Sequence, residues 1–484
     1  MSSDRPPQTM STPTPTVGRV SPQGVTRQDT AAEVAADVGL REANPTYGAD
    51  CSWPQMTLRE AGVTLIDCDH RTPRTAENGY PYIAIPQLKD GHIHLDGVRR
   101  ISPADYFEWT KKLKPQEHDV IVVRRCSSGD SAVIPAKLEC AIGQNLVVLR
   151  ADGRHVYPPF LRWLVRGPDW WNQVGKYINV GAVFDSLKCR EIPHFELRVP
   201  PLPVQREIAS LLGALDDRIA LLHETNATLE SIAQALFKSW FVDFDPVRAR
   251  QQGLAPEGMD EATAALFPDG FEESELGRVP KGWRLIPLSK AFEINPSRKL
   301  KRGETAPYLD MASVSTQGHI VGAPIEREFG SGTKFVNGDT LLARITPCLE
   351  NGKTAYVDCL PDGQTGWGST EFVVLRPQPP LPSYYAYLLC RHGAFRNFAI
   401  QSMSGTSGRQ RIQNDVLGRY PIAVPPPALA DAFGQVVSGL QSTIAANHAT
   451  TQTLSTLRDT LLPRLISGQL RVPETESQIE EATA

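Results

Sequence analysis

Residues 199–241, VPPLPVQREIASLLGALDDRIALLHETNATLESIAQALFKSWF, and residues 424–466, VPPPALADAFGQVVSGLQSTIAANHATTQTLSTLRDTLLPRLI, are one segment written twice. Val199-Pro200-Pro201 aligns with Val424-Pro425-Pro426 at an offset of 225, and no gap is needed through to Phe241 and Ile466. At that offset Ile208, Leu212, Leu215, Ile219, Leu229, Leu236 and Trp240 meet Phe433, Val437, Leu440, Ile444, Leu454, Leu461 and Leu465. Apolar positions stay apolar while the letters change, which marks a retained structural role. An internal repeat of this length predicts two similar globular units, each carrying one long helix.

In the first copy the core letters fall at 208, 212, 215, 219, 222, 226, 229, 233, 236 and 240, a strict alternation of four and three. That is a heptad seam. About 39 residues at 1.5 Å each make a rod of roughly 58 Å. A heptad stripe needs a partner, and the second copy supplies one within the same chain. A helix packed only on its own domain would explain neither the 3.5-residue period nor its recurrence.

One polar letter sets the direction. Asn226 and Asn447 both occupy core sites. In an antiparallel pair, sites whose numbers sum to 673 face each other, so Asn226 meets Asn447, Ile208 meets Leu465 and Trp240 meets Phe433. In a parallel pair Asn226 would face Thr451 and Asn447 would face Leu222, leaving an amide poorly satisfied. A lone core Asn commonly fixes register. The expectation is therefore an antiparallel pair, with the globular units held apart at opposite ends.

The chain of 484 residues is long enough for two or three cores. No apolar run could span a membrane, and neither a signal peptide's apolar stretch nor a lipidation motif is read, so cytoplasm is the expected compartment. Eight scattered cysteines without a C-x-x-C pair read as reduced thiols rather than a zinc site. A net charge of −4 means that any nucleic-acid binding must come from local basic surfaces.

Residues 1–49, rich in Pro, Ser, Thr, Gln and Ala, are expected to be a disordered N-terminal extension. A first globular unit then spans 50–200, a spacer helix 201–246 ended by Asp245-Pro246, and a Gly/Pro-punctuated connector 247–282. The second unit spans 283–424 and the second spacer helix 425–468, before a disordered tail at 469–484. The two units agree in order. Gly91-His92-Ile93 answers to Gly318-His319-Ile320, Asp119–Arg124 to Asp339–Arg344, and Val147–Arg150 to Val373–Arg376. The fold class is α+β: two globular α/β units related by pseudo-two-fold symmetry and separated by two long antiparallel coiled-coil helices.

The stretch Gln234-Ala235-Leu236-Phe237-Lys238-Ser239-Trp240-Phe241-Val242-Asp243-Phe244-Asp245-Pro246-Val247-Arg248 resembles the central conserved region of the specificity subunits of type I restriction–modification enzymes. So does the continuation Gly258-Met259-Asp260, Ala264–Pro268, Glu275-Leu276-Gly277 and Pro280-Lys281-Gly282-Trp283. In layout the resemblance covers residues 50–470. It implies two target-recognition domains, each reading one half of a bipartite asymmetric site in double-stranded DNA, with helices that space them and dock partners. It also implies a chain without catalysis of its own and without a bound cofactor. Two modification subunits would methylate adenine and two restriction subunits would translocate and cleave. S-adenosylmethionine, ATP and Mg belong to those partners. One departure is Pro203-Val204-Gln205, where many members carry Pro-x-Glu-Gln; the second copy, Ala428–Ala430, lacks the motif.

The residues themselves support no catalytic centre. Asn44-Pro45-Thr46-Tyr47 mimics an adenine methyltransferase loop but sits in the extension, without a glycine-rich cofactor loop. Ser404-Gly405-Thr406-Ser407-Gly408 has no following Lys-Ser/Thr and is no P-loop. Phosphates are met by Arg, Lys, Ser and Thr, and base edges by Arg, Asn and Gln. Candidate contacts in the first unit are Arg71, Arg74, Arg99, Arg100, Arg124 and Arg125, and Tyr177–Gly181 occupies the place that corresponds to the Gln401–Gln410 loop of the second unit. In the second unit they are Arg298, Lys299, Lys301, Arg302, Arg344, Lys353, Ser404, Thr406, Ser407, Arg409 and Gln410. The rival reading is a coiled-coil scaffold joining two protein-binding domains, with no nucleic acid. Basic polar loops at matched positions favour DNA.

Overall fold

The computed structural model describes residues 53–69, 71–181, 185–274, 277–406 and 408–472. The extension at 1–49, the tail from 473 onward and Ser407 lie outside the described residues. The chain divides into two units: residues up to Leu212 together with those from Thr456 onward, and Gly213–Ser455. The boundary crosses both long helices, so each unit holds one domain and parts of both helices.

The helices run Leu202–Lys238, 37 residues, and Pro427–Ile466, 40 residues. Pro203 and Pro427 fall in the first turns, where a missing amide costs no intrahelical bond. Every heptad position from Ile208 to Trp240, and from Phe433 to Leu465, is buried or half-buried. The first helix does not run on to Asp245-Pro246. It leaves α geometry at Lys238, makes a π turn over Ser239–Asp243, and breaks at Phe244, whose φ of 56° is left-handed. Pro246 then opens a new short helix, Asp245–Gln251. The π turn lets two consecutive aromatics face inward: Trp240 packs edge-on against Phe267, and Phe241 edge-on against Phe433 and Tyr385.

Within the second unit the helices are antiparallel. Asn447 Nδ2 donates to Asn226 Oδ1 at 2.8 Å, and Asn226 Nδ2 donates to the Ile444 carbonyl at 3.3 Å. The rings of Trp240 and Phe433 lie 5.5 Å apart. Both pairs sum to 673, so the polar letter and the aromatic letters report one register. Each amide gains a partner from the other helix, which the parallel arrangement would have denied it.

The two domains share one topology. In the first, a four-stranded antiparallel sheet orders strands Val63–Asp67, Leu146–Ala151, Val120–Val123 and Ser131–Val133. In the second the same order is built from Phe292–Ile294, Phe372–Pro377, Thr340–Ala343 and Thr354–Tyr356. A short antiparallel pair joins each domain's beginning to its end: Gln55–Thr57 with Glu196–Arg198, and Arg284–Pro287 with Pro421–Val424. The central strands Val120–Val123 and Thr340–Ala343 are wholly buried, consistent with the apolar run of the first and with Leu341-Leu342-Ala343 in the second.

A buried carboxylate opens each central strand. Asp119 accepts two bonds from Arg150 (2.7 and 2.6 Å) and one from the Gln116 amide. Asp339, with no exposed surface, accepts from Arg376, Arg298 and the Val336 amide. The domains differ on the flanking strand. Val63–Asp67 runs alongside most of its neighbour, whereas Phe292–Ile294 stops early. Asn295 explains the stop. It adopts a left-handed φ of 52°, its Oδ1 takes the Val374 amide, and Pro296 follows without a donor.

The segment 247–282 is more than a connector. Val247, Phe267 and Val279 are buried in the second unit's core, and Phe271–Ser274 pairs with Gly277–Pro280. No helix among the described residues is long and apolar enough to cross a membrane.

The asparagine pair gives a stability test. Asn226→Leu leaves the Asn447 amide with its donors facing hydrocarbon and is expected to cost about 1–3 kcal/mol. Adding Asn447→Leu removes the stranded amide and recovers most of that loss. Urea denaturation of the full chain reads both, and a double variant no more stable than the single one contradicts the pairing.

Candidate nucleic-acid interface

In each domain the central strand ends on an arginine that is stitched to a returning loop by the same backbone bonds. The Arg124 amide donates to the Asn145 carbonyl, and the Arg124 carbonyl accepts from the Leu187 amide. The Arg344 amide donates to Glu371, and its carbonyl accepts from Ile412. Two residues further on, Cys126 donates to Asp185 and Thr346 to Gln410. Isolated bridges repeat the pattern: Arg125 with Ser186 and Ser186 with Asn179, against Ile345 with Arg411 and Arg411 with Ser404. Residues 179–186 and 404–411 are therefore equivalent loops, closed at equivalent points.

The second loop is a hairpin. Ser404 and Arg411 exchange both backbone bonds, at 3.0 and 2.9 Å, and the Arg409 amide donates to the Thr406 carbonyl. Gly405 and Gly408 take φ of 127° and 79°, which side chains resist. Ser404, Thr406 and Arg409 are exposed and Gln410 is half-buried. Arg409 makes no ion pair among the described residues, so its guanidinium is available. The stem is held by charge. Arg411 forms a two-pronged pair with Glu371, its Nε lying 2.8 Å from Oε2. Those hydrogen bonds hold the Glu371 carboxyl below its ordinary range, with Arg344 adding a weaker pull.

Arg344 is half-buried. It donates to the Ile412 carbonyl at 2.8 Å and to Gln413 Oε1 at 3.3 Å, while its Nε is buried without a partner. Arg124 likewise has a buried Nε without a partner. The matched arginines are thus built into the loop stems. Lys353 donates to the Met311 carbonyl at 2.6 Å, and Arg298 is committed to Asp339. Because Asp339 and Arg344 bracket the central strand, Arg298 lies at the strand's other end from Arg344, about 16 Å away at 3.3 Å per residue. Lys299, Lys301 and Arg302 are exposed on that same 298–302 loop, without ion pairs among the described residues.

The first domain gathers its basic residues more closely. Gln144 donates to Thr72 Oγ1 at 2.9 Å, next to the Asn145 carbonyl that receives Arg124. The Arg71–Arg74 loop and the Arg124–Arg125 strand end are therefore neighbours. The Ala76 amide donates to the Arg100 carbonyl and the Tyr82 amide to that of Arg99, which brings Arg99-Arg100 to the same edge. Arg74, Arg99 and Arg125 are exposed and unpaired among the described residues. Arg100 donates to the Gly79 carbonyl at 2.8 Å. Arg71 is paired at 2.7 Å with Asp69, whose carboxyl it draws down to about 2, and stacks on Trp109.

Sequence reasoning missed the anchors. Arg411 has a serine as its repeat-mate, so the duplication could not flag it. Gln205, fully buried, accepts from the Tyr157 amide and donates to the His155 and Pro200 carbonyls, clamping the first helix's start to its domain. Its repeat-mate is Ala430, buried and apolar. Among the described residues no group of His, Cys, Asp and Glu could hold a metal ion.

These placements separate two kinds of arginine. Arg409→Ala is expected to lower the slope of log affinity for target DNA against log salt by about 0.9, the mark of one lost phosphate contact. Arg344→Ala is expected to weaken binding with less change in slope, because it loosens the hairpin stem. Anisotropy titrations across a salt series read both, and equal slope changes would contradict the distinction.

Known proteins resemble this chain along most of its length. Residues 68–231 match the family model described as the type I restriction modification DNA specificity domain. The chain is 23% identical over 386 residues to the Type I restriction enzyme HindI specificity subunit of Haemophilus influenzae, covering 68% of this chain and 81% of that one. It is 26% identical over 417 residues to the Type I restriction enzyme MjaIX specificity subunit of Methanocaldococcus jannaschii, covering 83% and 87%. A solved structure of an S subunit from M. genitalium aligns over 88% of this chain and 97% of its own, with 15% identity and a TM-score of 0.47. Residues 68–231 thus match the DNA specificity domain of type I restriction–modification systems, and most of the chain is similar to the specificity subunits of such enzymes.

Proposed function

We propose that this chain reads DNA sequence for a type I restriction–modification complex, each domain contacting one half of a bipartite asymmetric site. The observation that carries the reading is the repeated strand-end and loop. One scaffold is built twice, and the exposed residues it presents differ in sequence: Asn179–Gly181 in one, Ser404, Gly405, Thr406, Gly408 and Arg409 in the other. Two different tips on one scaffold suit two unlike half-sites. Backbone approach at Gly405 and Gly408, with the free guanidinium of Arg409, suits base-edge and phosphate contact. Arg74, Arg99 and Arg125 supply the equivalent positive surface in the first domain. The local concentration of these groups answers the chain's slightly negative net charge.

On this reading the chain performs no chemistry. Two modification subunits dock on it and methylate adenine with S-adenosylmethionine, and two restriction subunits use ATP and Mg to translocate and cleave. The paired helices act as the spacer, since their length is fixed by hydrogen-bonded geometry rather than by sequence-specific contacts.

Co-expression with its modification subunit in a host lacking adenine methylation tests the proposal. Genome-wide mapping is expected to find methylated adenines in a single motif of two short defined blocks separated by a fixed gap. Methylation in one continuous motif, or none from an assembled complex, contradicts the reading.

A further inference from the structure

The second unit buries a set of ionisable groups that the proposed DNA contacts do not use. Glu230, on the first long helix, has a side chain only 12% exposed. Tyr387 donates to its carboxylate, and Arg391 Nε lies 3.6 Å from the same oxygen. Arg391 also donates to the carbonyls of Thr316 and Gly352, at 2.7 and 3.0 Å. On the second long helix, Gln441 donates to Asp358 Oδ2 at 2.8 Å. That oxygen lies 3.2 Å from Nε2 of His319, which has no exposed surface and whose Nδ1 is 3.1 Å from the Tyr384 hydroxyl. Both long helices are thus tied by side chains to the helix Tyr384–Arg391 and to the turn carrying Gly318-His319.

Attachment alone does not need charge. The domain already shares an apolar core with the helices through Phe237, Trp240 and Tyr385. A buried ion pair adds little net stability over hydrocarbon of the same shape, but it is satisfied in one geometry only. The first unit has a looser counterpart, in which the carboxylate, Asp459, is half exposed. Arg166 stands 3.9 Å from Asp459 on the second helix, and a Cβ on Gly91 would lie 2.6 Å from the Arg166 guanidinium. Gly91 is the sequence mate of Gly318, whose own Cβ would stand 3.6 Å from Glu230 Oε2. In both domains a glycine turn and an arginine meet a carboxylate of a long helix.

We propose that Glu230, Tyr387 and Arg391, with Gln441 and Asp358, form an orienting joint. The joint sets the angle at which the second domain leaves the helices, and so the number of base pairs between half-sites. Glu230 and Gln441 are positioning residues, not DNA contacts. The inference rests on the bipartite reading above. One base pair advances the helix by about 3.4 Å and turns it by about a tenth of a revolution, so a small change of angle changes which gap fits.

The test uses the chain in complex with its modification subunit and a plasmid library with both half-sites fixed and the gap varied one base pair at a time. Wild type is expected to methylate one gap strongly. Glu230→Gln, which keeps the shape and loses the charge, is expected to reduce the preference for that gap over its one-base-pair neighbours at least tenfold, with both half-site sequences unchanged. Gln441→Ala, at a half-buried position, repeats the test should Glu230→Gln fail to assemble, and the same loss of gap preference is expected. Assembled variants whose preference is unchanged, or whose methylation falls equally at every gap, overturn the joint and leave the bipartite reading intact. A wild-type complex without a bipartite motif overturns the reading and the joint together.

Discussion

An amide facing an amide in a mostly apolar seam fixes the direction and register of the paired helices. Leu and Ile along a heptad stripe tolerate either helix direction and several registers, because hydrocarbon contact is not directional. Asn226 and Asn447 tolerate one. Their 2.8 Å hydrogen bond requires the helices to run in opposite senses, with 226 level with 447. The cost of stranding an amide in the seam is the energy gap between this arrangement and its alternatives. The Trp240 and Phe433 contact follows from the same register.

On that frame each domain repeats a second constraint. A buried aspartate starts the central strand and pins an arginine from the neighbouring strand, so the sheet cannot slip by one residue without stranding a charge. The strand's far end then projects an arginine whose backbone is bonded to the returning loop. Rigid stem and open tip are separated by only two or three residues. Arg411 and Glu371 hold the stem, while Gly405, Gly408 and Arg409 remain at the surface. Change at the tip need not disturb the stem, which suits the proposed presentation of different contacts on one scaffold.

Much of this was legible in the letters. Heptad spacing gave the helices, the two asparagines gave their direction, and matched runs such as Asp119–Arg124 and Asp339–Arg344 gave the shared sheet. The π turn at Ser239–Asp243 was not legible, because the heptad continues in register to Trp240; aromatic packing from Phe433 and Phe267 decides it. Nor was the role of the matched arginines. Arg124 and Arg344 read as exposed basic groups, yet their guanidinium donors face inward at Nε. Charge in a sequence does not say whether its partner is solvent, a carbonyl or a buried carboxylate, as Lys353 with Met311 and Arg298 with Asp339 demonstrate. Gln205 was visible only as a departure from a motif; its three hydrogen bonds come from residues 157, 155 and 200, one close in sequence and two some fifty residues away.

One domain scaffold occurs twice in this chain, and the long helices run antiparallel within the second unit. This arrangement is tested most directly by a chain carrying residues 283–424 in both domain positions, co-expressed with the modification subunit. If the helices space the domains as proposed, two identical domains would face opposite ways, so the methylated motif should become an inverted repeat of the second half-site, with a fixed gap. A direct repeat of that half-site, or retention of the original asymmetric motif, would contradict the account.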